Sequence, residues 1–62
     1  MTDAQTQAIV QIDAAVAALA KAKENITIGN VPSIVGAAGK LGEAARAIVV
    51  ASVYVGQAQR GG

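Results

Sequence analysis

The sequence predicts an all-α chain of two helices, and three observations carry that expectation. Residues 4–24 are dominated by alanine and glutamine, with aliphatic residues at helical spacing. The stretch ITIGNVPS then interrupts the pattern with Gly29, Asn30 and Pro32. Beyond it, residues 33–59 repeat with a period of seven over four heptads. The expected organisation is a single domain, residues 1–62, with helices over about 4–24 and 33–59 joined by a Gly/Asn/Pro turn. The two helices form either a hairpin or an open pair, completed by oligomeric packing.

The first helix begins where Thr2 or Asp3 can cap it, and Asp3 also suits the positive end of the helix dipole. Ile9, Ile12, Val16 and Leu19 follow a 3-4-3 spacing and form one stripe, bounded by Gln5 and Lys23. The opposite side carries Gln7, Gln11, Ala14, Ala18 and Ala22, with Asp13 and Lys21 on a wet flank. The helix therefore has a modest aliphatic seam and a second, alanine-lined face.

The connector is expected to take six to nine residues, because Pro32 disfavours helical geometry at Val31. Either Ser33 caps the second helix or Pro32 sits in its first turn. Ile26 and Ile28 flank Thr27, an alternation that also permits a short extended piece.

In the second helix Ile34, Leu41, Ile48 and Val55 recur every seven residues, and Ala37, Ala44, Ala51 and Ala58 follow each by three. In heptad terms every a position is branched aliphatic and every d position is alanine. Beside them Ala38, Ala45, Ser52 and Gln59 widen the small strip. Gly36, Gly39, Gly42 and Gly56 lie off this seam. Each costs roughly 0.5–1 kcal/mol in an isolated helix, which close approach of a neighbouring backbone would offset. Residues 48–55 place branched or aromatic side chains on every side of the helix, the pattern of a surrounded helix. Their β-rich composition also admits a strand, but alternation is lacking and the heptad runs through them unbroken. Glu43 and Arg46 read as a surface ion pair, or as partners across a subunit boundary. Tyr54, the single aromatic residue, is a packing residue and the natural hot spot of an interface.

Several function classes are excluded by composition. The chain has no Cys and no His, and its carboxylates (Asp3, Asp13, Glu24, Glu43) are scattered, so neither disulfide nor metal centre is expected. The hydroxyls have no base beside them, so no catalytic site and no cofactor is expected. Gly39-Lys40 lacks the glycine and the hydroxyl residue of a phosphate loop, where Ile34 and Leu41 stand. Nor do Gly36, Gly39 and Gly42 fit dinucleotide spacing. Asn25-Ile26-Thr27 matches a glycosylation sequon by chance, and Arg60-Gly61-Gly62 reads as a solvated tail. A net charge of +1 with dispersed basic residues argues against nucleic-acid binding. The acidic, polar start argues against a secretory signal, which leads to an expectation of cytoplasmic synthesis. The uncharged runs 25–39 and 47–59 are shorter than the roughly 18 apolar residues of a spanning helix.

A chain of 62 residues supplies only a marginal core on its own. With staples excluded, association remains, and the expected role is a structural subunit assembling with copies of itself or within a larger particle, including a virion. The expected interface comprises Ile34, Ala37, Leu41, Ala44, Ile48, Ala51, Val53, Tyr54 and Val55 on the second helix. Ile9, Ile12, Val16 and Leu19 complete it on the first. In composition the chain is similar to the short Ala/Gly/Val-rich helical subunits of filamentous phages and conjugative pili. It departs from them where Lys40, Glu43 and Arg46 interrupt the second helix. The alternatives are a peripheral membrane or holin-like hairpin and a small helical adaptor that fills a groove on a larger protein.

Overall fold

The computed structural model describes residues 1–61, which form two long helices folded back on each other with a two-residue turn between them. Helix α1 spans Asp3–Ile28 and helix α2 spans Val31–Gln59. The hairpin alternative is therefore the one realised, and the described residues contain no strand.

Helix α1 starts in a reciprocal cap. The Thr2 side-chain oxygen accepts from the Gln5 backbone N–H at 3.2 Å, and Gln5 Oε1 accepts from the Thr2 N–H at 2.7 Å. Two of the orphan donors at the helix start are thereby satisfied. At the other end α1 runs four residues beyond the expected boundary at residue 24, and residues 26–28 are helical rather than extended. Thr27 stays in register by donating its hydroxyl to the Lys23 carbonyl at 2.8 Å. Gly29 stops the helix with φ +82°, and its N–H donates to the Asn25 carbonyl at 3.2 Å. Only glycine reaches that left-handed geometry without a Cβ penalty.

Helix α2 begins at once. Asn30 is the cap, its side-chain oxygen accepting from the Ser33 N–H at 2.9 Å, so Ser33 is inside the helix and not its cap. Val31 is helical despite preceding proline. Pro32 falls in the first turn, where its missing N–H would have had no intrahelical partner. A cap on each side of a two-residue turn replaces the longer connector.

The core between the helices is made of alanine. Ala4, Ala8, Ala15, Ala18 and Ala22 are buried on α1, with Gln11 and Asn25 half-buried in the same 4-3 spacing. On α2 the buried residues are Ala37, Ala44, Ala47 and Ala51, with Ser33, Lys40, Tyr54 and Ala58 half-buried and completing the spacing. Ala15, Ala18, Ala44 and Ala47 form its central cluster. Each helix thus presents an antiparallel coiled-coil seam of small side chains. The alanine column of α2 lies in this seam, while the a-position aliphatics sit beside it.

Candidate interaction surface

One residue advances an α-helix by about 100°, so the residue following each seam position lies roughly a quarter-turn around the cylinder. On α1 these following residues are Gln5, Ile9, Ile12, Val16, Leu19, Lys23 and Ile26. On α2 they are Ile34, Ala38, Leu41, Ala45, Ile48, Ser52, Val55 and Gln59. In an antiparallel pair the two strips fall on the same side of the hairpin. Accordingly, Ile12 of α1 lines a shallow groove with Ile48, Ser52 and Val55 of α2. Next to it, Gln5 and Ile9 line another with Val55 and Gln59. The result is a continuous aliphatic face whose single charged residue, Lys23, lies towards the turn.

The residues preceding each seam position form the opposite face, which has a different character. It carries Lys21, Glu24, Glu43 and Arg46 among Gly36, Gly39, Ala14 and Ala17, and Gln11, Glu43, Arg46 and Val50 line a groove on this side. Glu43 pairs with Lys40 at 3.3 Å, and Lys21 with Glu24 at 3.6 Å. The expected Glu43–Arg46 pair is therefore replaced. Lys40 is half-buried at a seam position, and its ammonium reaches Glu43 on the polar side. Both pairs are largely solvated and worth little to stability.

The thirteen sequence-predicted interface residues divide among these surfaces. Ala37, Ala44 and Ala51 are in the seam within the chain, and Tyr54 is half-buried near its open end. Ile9, Ile12, Val16, Leu19, Ile34, Leu41, Ile48 and Val55 come together on the aliphatic face, each between 42% and 60% exposed. Val53 is exposed on the opposite face. Ala18 and Ala22 belong to the alanine-lined face expected on the first helix, whereas the seam residues Ala4, Ala8, Ala15 and Ala47 and the face residue Ile26 are not among the expected positions, although their regular helical spacing is present in the sequence.

The glycines serve different ends. A Cβ on Gly36 would come within 3.0 Å of the Asn25 side-chain nitrogen, so the close approach there is to α1 of the same chain. Gly39 and Gly42 have open space where a Cβ would stand.

Four of the hydroxyls are engaged in local structure. The hydroxyls of Thr6, Thr27 and Ser52 donate to the carbonyls four residues back, and that of Thr2 caps α1. Among the described residues no three acidic side chains converge as a metal site would require. No helix among them is long and apolar enough to cross a membrane. Comparison of the chain with family models, curated proteins and solved structures finds no match.

Proposed function

We propose that the chain is a structural self-assembling subunit, a helical building block of a larger homo- or hetero-oligomeric assembly such as a filament, a ring or a virion component. One observation carries this reading. Every Ile, Leu and Val of the chain is at least 37% exposed, while every buried residue is alanine. A fold that was complete as a monomer would bury its largest apolar side chains first, since they gain most from leaving water. The hairpin exposes 4230 Å², against about 3,650 Å² for a compact monomer of 6.1 kDa. The elongated shape accounts for surface beyond the compact value, and the exposed Ile, Leu and Val side chains make part of that surface apolar.

Sedimentation at micromolar concentration, with circular dichroism in parallel, tests the reading. Helical species heavier than 6.1 kDa support it. A folded, monodisperse monomer that melts cooperatively overturns it.

A second reading, a peripheral membrane hairpin, draws on the same aliphatic face. The absence of Trp and the thin supply of basic residues around that face weigh against it. Flotation with neutral or anionic vesicles distinguishes the two, because only a membrane binder rises with lipid.

A further inference from the structure

We propose that the aliphatic face takes a second copy of this chain, so that two hairpins stack into an antiparallel four-helix bundle with α1 of each over α2 of the other. This rests on the self-assembly reading and names its elementary contact.

The first argument is the register of the two strips. On each helix the aliphatic strip keeps the same 4-3 spacing as the alanine seam, displaced by one residue. Two heptad seams about a quarter-turn apart are what a helix needs to contact two neighbours in a four-helix bundle. The hairpin uses the first seam internally and leaves the second open.

Size is the second argument. The Cα outline of the hairpin measures 47 × 15 Å across the face, a footprint of about 700 Å². A standard stable interface buries about 800 Å² per partner, so the Cα outline alone comes close to that size, and the exposed side chains that stand out from it add to the area a second hairpin covers. Lys23 is the only charge on the face, and it stands towards the turn, where its head reaches water past the edge.

The third argument fixes the pairing. The α1 strip is large at Ile9, Ile12, Val16, Leu19 and Ile26, whereas the α2 strip alternates large residues with Ala38, Ala45 and Ser52. Laying α1 over the α2 of the other copy sets large side chains against alternating large and small ones, so the layers interdigitate. Laying α1 over α1 would set the large aliphatics of the middle of the strip, Ile12, Val16 and Leu19, against one another with no small residue between them. The favoured arrangement has a two-fold axis parallel to the helices and closes as a dimer. In it Leu19 of one copy lies beside Leu41 of the other, because residues that sum to about sixty are level in the hairpin, as Ile12 and Ile48 are.

The chain has no cysteine, so introduced ones report cleanly. Leu19→Cys chains are mixed with Leu41→Cys chains and oxidised gently, and Val16→Cys chains are treated alone. The expected result is a disulfide between the two different chains and none in the Val16→Cys sample. In sedimentation the parent chain is expected at twice 6.1 kDa. Leu41→Glu should weaken that dimer at least about a hundredfold, since it buries a charge without a partner, whereas Arg46→Glu on the opposite face leaves the dimer intact. A Val16→Cys disulfide in place of the mixed one overturns the arrangement. Larger particles that Leu41→Glu does not disturb overturn the two-fold pair while leaving self-assembly standing. A chain that stays monomeric, or that is monomeric and floats with vesicles, overturns the pair and the self-assembly reading together.

Discussion

Ala44→Leu is the substitution that most directly tests the alanine seam. Ala44 is 2% exposed and belongs to the central cluster with Ala15, Ala18 and Ala47. With methyl groups on both sides, the helices have no void that could take an isobutyl group. Leucine must therefore push the helices apart or leave the seam. Parting them at the centre removes the contacts of four methyl groups, worth about 0.8 kcal/mol each, so the loss is at most roughly 3 kcal/mol. Part of this is recovered by the apolar surface of the leucine itself, which brings the expected cost to about 2 kcal/mol, within the range of overpacked cores. For a chain of this size that corresponds to a fall in Tm of roughly 8–16 °C. Thermal circular dichroism at matched concentration reads it. Ala20→Leu is the control: it adds the same atoms at an exposed position of α1 outside both the seam and the aliphatic face. It should leave the packing of α1 on α2 undisturbed. If Ala44→Leu melts at or above the parent temperature, the helices do not meet through the alanines.

Three further substitutions probe the ends and the open surface of the helices. Gly29→Ala forces a Cβ into φ +82°, and chemical denaturation should show a loss of about 1–2 kcal/mol. Gly39→Ala adds a methyl group to open space within α2 and should raise stability by roughly 0.5–1 kcal/mol, read as a higher midpoint in urea. Thr2→Ala removes the oxygen that accepts from Gln5 and should cost about 1 kcal/mol, with faster amide exchange in the first turn of α1.

The helices were legible from composition and spacing because both signals are local. The tight turn was harder to read. The rule that a residue before proline avoids helical geometry pointed to a longer connector, but it is a preference, and the Asn30 side chain overrides it by bonding to the Ser33 N–H. Which side of each helix faces the other was obscured by hydrophobicity itself. Ile9, Ile12, Val16 and Leu19 outrank alanine on any transfer scale and so looked like the natural seam of α1. The buried strip is instead Ala4, Ala8, Ala15, Ala18 and Ala22, whose spacing is equally regular but is masked by alanines scattered around it. On α2 the alanine column stood out because it recurs four times at one heptad position. Its partner inside the same chain did not.

The choice of alanine for the inner seam has a physical consequence for the outer one. Nine buried alanine methyls contribute about 7 kcal/mol to closing the hairpin, at roughly 0.8 kcal/mol each. The eight sequence-predicted aliphatics on the open face are about half exposed, and covering them contributes roughly 6–12 kcal/mol per chain at half the usual value of a buried side chain. Association through that face thus carries a driving force at least comparable to the hairpin seam, before the cost of joining two molecules is subtracted. Small side chains in the inner seam leave the branched ones on the surface proposed to take a second copy. On that proposal folding and assembly are coupled, and the melting temperature should rise with protein concentration. A melting temperature independent of concentration over a hundredfold range would show that the aliphatic face takes no second chain as the hairpin folds.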